Sequence, residues 1–135
     1  MKTLNKVLEG LMSRYQKRVP DVLKITEALV DHNLIEKQED IENDHIAFRT
    51  MGVANLGIAS FEKIFLHFGY TPEDKYFFEK KKLNARWYKP PSDKYPRIFI
   101  SELNVNSFPE EIQDIIKSYT DEVTSDPVDS LNLDN

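Results

Sequence analysis

The run Asp44-His-Ile-Ala-Phe-Arg-Thr50 places two chemically useful side chains, His45 and Arg49, on one strand-like segment. A neutral imidazole can ligate a divalent metal. A guanidinium fork can hold a carboxylate through paired hydrogen bonds. Side chains alternate across a strand, so His45, Ala47 and Arg49 share one face, and Asp44, Ile46, Phe48 and Thr50 share the other. Ile46 and Phe48 are apolar and suit packing on helices, which turns His45 and Arg49 toward an open side. Four residues along a strand cover about 13 Å, near enough for both heads to lean toward one ligand. The small Ala47 between them leaves room for it. The pair fits a metal site that acts on a chelated carboxylate. It also fits a hydrogen-bonded surface pair, and the residue types alone leave both readings open.

Composition narrows the chemistry. The chain has 135 residues and no cysteine, which removes disulfides, thiolate ligands and thiol nucleophiles together. Any metal must be held by His, Asp or Glu. The start, Met1-Lys-Thr-Leu-Asn-Lys, has no apolar leader run, and no apolar stretch is long enough to span a bilayer. The expected compartment is the cytoplasm. The net charge of −5 is uneven: no Lys or Arg follows Lys117, and Asp121, Glu122, Asp126, Asp129 and Asp134 account for all of it. Between Lys75 and Arg97 the chain is locally basic, a pattern that fits a solvated sheet edge.

The elements that must position the pair can be read from periodicity. Leu4, Val7, Leu8, Leu11, Met12 and Tyr15 have helical spacing. Pro20 suits the first turn of a second helix, whose inner face is expected to be Val22, Leu23, Ile25, Leu29 and Val30. Residues 36–44 read as a polar loop and 44–50 as a strand. A helix near 56–68 turns Ile58, Phe61, Ile64, Phe65 and Phe68 inward and ends at Gly69. Strand-like runs follow at Lys75–Glu79, Leu83–Lys89 and Pro96–Leu103. Ser107 with Glu110 predicts a capping box opening a helix near 108–119, with Pro109 in its first turn. The fold class is therefore α+β: an N-terminal helical segment (1–43), a βαβββ module with a trailing helix (44–119) and an acidic tail (120–135). A four-stranded sheet with one helix on it leaves its second face open. That face calls for a second module or a second copy of the chain.

At this point the motifs are familiar. Asp44-His-Ile-Ala-Phe-Arg-Thr50, Leu66-His-Phe-Gly-Tyr70, Leu83-Asn-Ala-Arg-Trp-Tyr88 and Pro96-Arg-Ile-Phe-Ile-Ser-Glu-Leu103 occur in order. Together they closely resemble the 2-oxoadipate dioxygenase/decarboxylase family, also called hydroxyglutarate synthase. The resemblance runs from about Asp44 to Leu103, and the two preceding helices fit it. It implies a fold similar to the vicinal-oxygen-chelate class, in which paired βαβββ modules form a metal-holding cup. It implies non-haem iron(II) chemistry that converts 2-oxoadipate and dioxygen to 2-hydroxyglutarate and carbon dioxide, in lysine breakdown. His45 is carried over as the first iron ligand and Arg49 as the holder of a substrate carboxylate. The family's second His and its Glu ligand lie in a later module that these residues do not contain. The expectation is an N-terminal portion that does not hold iron by itself in the family's way.

Other residues are weighed by the same alternation. Arg97, Phe99 and Ser101 should share the open face, making Ser101 a candidate pocket hydroxyl, whereas Glu102 should face the helices with Ile98 and Ile100. Arg86, Trp87 and Tyr88 could line the cup, although a Trp is more often a core or interface anchor. His67 is expected to sit at a helix C-terminus, where the dipole favours a cation, and His32 at the surface. Gly52 and Gly57 lack the spacing of a phosphate loop. Two other functions compete. A basic sheet with Tyr76, Phe77, Phe78, Trp87 and Tyr88 could stack single-stranded nucleic acid, but the acidic tail and neutral body argue against it. A homodimer could bring two copies of His45 together, yet it offers no obvious carboxylate ligand. No nucleic-acid or membrane partner is expected.

Overall fold

The computed structural model describes residues 2–134 and separates them into two compact units that meet in sequence at Asp44. The first is helical. Helix α1 covers Lys2–Arg18 and α2 covers Pro20–Asp31. Only Val19 separates them, and Pro20 opens α2, where a missing N–H costs nothing. The inner face of α2 differs from expectation: Thr26 is buried while Leu23 and Ile25 are exposed. Thr26 can be buried because its hydroxyl donates to the Val22 carbonyl at 2.9 Å. The linker carries a single turn at Gln38–Asp40. There the Asp40 carboxylate accepts from the Glu36 and Lys37 N–H groups at 3.0 Å.

The second unit is the βαβββ module. Its strands are β1 (His45–Met51), β2 (Thr71–Phe78), β3 (Leu83–Lys89) and β4 (Arg97–Leu103), in sheet order β1-β4-β3-β2. Strands β1 and β4 are parallel, and the β4–β3 and β3–β2 pairs are antiparallel. The parallel pair needs a crossover, which is helix α3 (Ile58–His67). Its ring stack lies over β1: Phe48 meets Phe61 at 4.9 Å and Phe65 at 5.7 Å, and Phe65 meets Tyr70 edge-on at 5.5 Å. Phe65, Tyr70, Tyr88, Ile98 and Ile100 are buried. Gly69 ends the α3 turn with φ +86°, the left-handed value that suits glycine.

Strand β2 starts at Thr71, four residues before its expected start at Lys75. Pro72 and two acidic residues hide it from pattern reading. An edge strand tolerates them because its outer N–H groups need no partner, and the register slips between Pro72 and Lys75. The Lys80–Lys82 link is a tight turn with Lys82 at φ 51°. Helix α4 (Glu110–Thr120) begins after Pro109, and Ser107 belongs to a separate turn at Val105–Ser107. The expected Ser107–Glu110 capping box is thus absent, and α4 has no side-chain cap.

The acidic segment after α4 packs on the module. Asp126 accepts from the Ser60 hydroxyl at 2.6 Å and from the Val128 N–H at 2.9 Å. Lys63 pairs with Asp126 and with Asp129, each at 2.7 Å. Val128 is buried, and the Asn55 amide donates to the Val123 carbonyl at 3.1 Å. The Lys63 ammonium, and then the Ser60 hydroxyl, hold the Asp126 carboxyl down at about 2.

Candidate functional site

Alternation along β1 follows the expected pattern: His45, Ala47, Arg49 and Met51 are exposed, whereas Ile46, Phe48 and Thr50 are half-buried under α3. Register extends this face across the sheet. His45 pairs with Arg97, Ala47 with Phe99 and Arg49 with Ser101. Phe99 in turn pairs with Trp87, and Ala85 with Tyr76. A cavity of about 860 Å³ opens on this face, with His45, Ala47, Phe99, Trp87, Tyr76 and Arg97 among its lining residues. The small Ala47 leaves a hollow beside the imidazole, and the aromatic rings form its walls.

Among the described residues, the imidazole has a partner on one side only. His45 Nδ1 lies 3.2 Å from Asp44 Oδ2, and Asp44 Oδ1 lies 3.7 Å from the Arg97 guanidinium. The Arg97 N–H donates to the Asp44 carbonyl at 3.0 Å, fixing the main chain at the mouth of the site. Arg49 forms no ion pair among the described residues and is exposed beside Ser101. Ser101 is only 5% exposed, and its hydroxyl points back to the Phe48 carbonyl at 3.4 Å. The structure therefore brings His45 and Arg97 to one cavity, with Arg49 further along the same strand face.

Residues on the other face do structural work. The Glu102 carboxylate accepts from the Ile58 N–H at 2.7 Å, supplying the first turn of α3 with an anion at its positive end. Gly57 permits that approach, since a Cβ there would stand 2.7 Å from Glu102 Oε2. Gly52 likewise lies against the Leu103 carbonyl. Both glycines serve packing at the turn into α3. Tyr88 is fully buried on this side, and its hydroxyl donates to Glu62 at 2.5 Å. Burial and that carboxylate both push its pKa well up. Arg86 donates to the Glu73 carbonyl and lines a second cleft of about 1060 Å³ beneath α3. Of Arg86, Trp87 and Tyr88, only Trp87 lines the His45 cavity. His67 is the last residue of α3, edge-on to Phe68 at 5.2 Å, and His32 caps the end of α2.

A facial iron(II) site takes two imidazoles and one carboxylate. The chemistry of His45 suits one of these positions: the Asp44 carboxylate lies at Nδ1, and Nε2 has no hydrogen-bond partner among the described residues. Among the described residues no group of three His, Asp or Glu side chains could hold a metal. The described residues therefore offer at most one position of such a set, His45 with Asp44 beside it, and do not complete it. No helix among them is long and apolar enough to cross a membrane.

Known proteins resemble this chain in sequence and in fold. A 2-oxoadipate dioxygenase/decarboxylase of Arabidopsis thaliana, named as chloroplastic, is 36% identical over 129 residues, covering 85% of this chain and 33% of its own length. The Oryza sativa protein of that name, chloroplastic or amyloplastic, is 38% identical over 123 residues, covering 84% of this chain and 33% of its own. This chain thus spans about a third of the length of the curated relatives it matches. The crystal structure of the Oryza sativa hydroxyglutarate synthase in complex with 2-oxoadipate superposes with a TM-score of 0.72 at 35% identity, over 87% of this chain and 40% of that one. A Shewanella frigidimarina protein, provisionally described as a hydrolase, superposes with a TM-score of 0.78 at 36% identity, over 88% of this chain and 44% of that one. Residues 7–134 match the family described as 2-oxoadipate dioxygenase/decarboxylase, and the chain belongs to that family.

Proposed function

We propose that this chain is the N-terminal part of a non-haem iron(II) enzyme. Its substrate is a 2-oxo dicarboxylic acid of the 2-oxoadipate type, and its place is in lysine breakdown. The observation that carries the reading is the open face of β1, where Asp44 engages only one nitrogen of His45 and Arg49 has no ion-pair partner on the same strand. His45 contributes one metal ligand. The remaining imidazole and carboxylate have to come from protein outside residues 2–134, since no complete donor set lies within them. A further module over the open face would supply them; a second copy of the chain would supply a second His45 but no evident carboxylate.

Each side chain has a defined task. Arg49 grips a carboxylate of the 2-oxo acid through its free fork. Ser101, beside it in the register, shapes the floor of that grip. The aromatic side chains give the hollow over Ala47 apolar walls. Iron(II), when bound, supplies the dioxygen chemistry that side chains lack. The overall conversion balances: 2-oxoadipate and one dioxygen give 2-hydroxyglutarate and one carbon dioxide.

The test is product analysis on the native protein that carries this chain, loaded with iron(II) without air and then given 2-oxoadipate and dioxygen. Equal yields of 2-hydroxyglutarate and carbon dioxide are expected. Arg49→Gln should lower kcat/KM by about 10–150-fold, the worth of one charge-assisted carboxylate grip. Iron-loaded native protein that leaves 2-oxoadipate unchanged overturns the reading.

A further inference from the structure

His45 has two chemically distinct ring nitrogens, and the structure treats them differently. Nδ1 is within hydrogen-bond distance of Asp44 Oδ2, at 3.2 Å. A carboxylate accepts and does not donate, so the contact requires the proton to sit on Nδ1. The lone pair is then on Nε2, which has no partner among the described residues. Asp44 itself is held by Arg97 at two points. Its carbonyl accepts the Arg97 N–H at 3.0 Å, and its second carboxylate oxygen faces the guanidinium at 3.7 Å. That second point draws Oδ1 toward β4 and leaves Oδ2 for the imidazole. The arrangement joins the first residue of β1 to the first residue of β4, and it sits at the rim of the cavity that His45 lines.

We propose that Asp44 is the positioning residue for His45, held in place by Arg97, and that it keeps the imidazole in the Nδ1–H tautomer with the Nε2 lone pair turned to the cavity. Free imidazole carries no such bias toward Nδ1–H, and a side chain more than half exposed would otherwise rotate and exchange tautomers. The role of this device in metal capture rests on the iron reading above; the tautomer itself does not.

The experiment is nuclear magnetic resonance of the native protein with isotope-labelled histidine ring nitrogens, recorded at a pH where the imidazoles are neutral. The signal of His45 is identified by its loss in His45→Ala. The ring is expected in the Nδ1–H form. Asp44→Ala should move it to the Nε2–H form, and Asp44→Asn, whose carbonyl still accepts, should largely restore Nδ1–H. Cobalt(II) alone then serves as the metal probe. Asp44→Ala should weaken its binding by about 10–100-fold, the usual effect of removing a carboxylate that orients a ligating histidine. A His45 ring found as Nε2–H in the native protein, or unmoved by Asp44→Ala, overturns the proposal. So does a tautomer shift that leaves cobalt affinity unchanged while His45→Ala abolishes it. If His45→Ala itself leaves cobalt binding intact, the iron reading fails, and the tautomer result stands as evidence for the Asp44 contact alone.

Discussion

The two faces of the same four-stranded sheet are built by opposite rules. Under α3, Glu102 is partnered with the Ile58 N–H, Tyr88 with Glu62, and Thr50 with the Leu56 carbonyl. The aromatic side chains there interlock, and Phe65 is 1% exposed. On the opposite face, Arg49 has no ion-pair partner among the described residues, His45 is engaged by them at one nitrogen, and Tyr76 and Phe78 stand about 40% exposed. One face is closed by its own contacts and determines stability. The other holds its chemistry ready for a ligand or a covering module, and its exposed edge residues, Tyr76 and Phe78, contribute little to stability. Substitutions that sort cleanly by face would support this division, and any that cross it would break it.

The largest effect should come from the closed face. Phe65→Ala removes the centre of the Phe48–Phe61–Tyr70 ring cluster and should cost about 3–5 kcal/mol in a urea unfolding curve. Phe78→Ala, made on the open face and measured in the same way, should cost under about 1 kcal/mol. Equal costs would break the comparison. Next in size is Glu102→Ala, which strips the anion from the start of α3. A loss of about 1–2 kcal/mol is expected, because the Ile58 N–H loses its acceptor. Gly57→Ala should also destabilise, since its Cβ meets the same carboxylate.

A smaller effect, with a definite direction, concerns the segment after α4. The folded-state pKa of Asp126 is lowered from 3.8 to about 2 by Lys63 and Ser60. Its contribution is therefore fully present above its unfolded value and is lost as pH falls through about 2. Fluorescence-monitored unfolding should show the stability of the module declining across that window, and Asp126→Asn should flatten the decline. An unchanged acid profile in the variant would show that the Lys63–Asp126 pair does not hold this segment to the module. The smallest effect belongs to Arg49→Gln, which should shift stability by no more than about 0.5 kcal/mol while it damages turnover. A large loss of stability there would mean that Arg49 is structural.

How much of this was legible in the sequence follows the range of the interactions. Local patterns sufficed for the alternation of β1, for Pro20 opening α2 and for Gly69 ending α3. Strand β3 begins and ends at the expected residues, Leu83 and Lys89. The resemblance carried by four short motifs points to the family without any long-range contact. Contacts between residues far apart in sequence were hidden. Glu102 capping α3 and Arg97 bracing Asp44 depend on the β1–β4 register, which no local period encodes. The fold-back of 121–133 depends on Lys63 and Ser60 meeting Asp126, and from composition alone those carboxylates read as an acidic tail. Ser107 matched a capping pattern, but Pro109 moved the helix start beyond its reach. Thr26 and Ile25 exchanged places because a hydroxyl that bonds its own helix can be buried in place of a hydrocarbon.

The most direct test of the central claim is iron stoichiometry in the native protein and its His45→Ala variant, after anaerobic loading and removal of loosely bound metal. The account expects one iron(II) per chain in the native protein. It expects none in the variant, together with loss of 2-oxoadipate-dependent dioxygen uptake. Full iron occupancy and undiminished uptake in His45→Ala would contradict it.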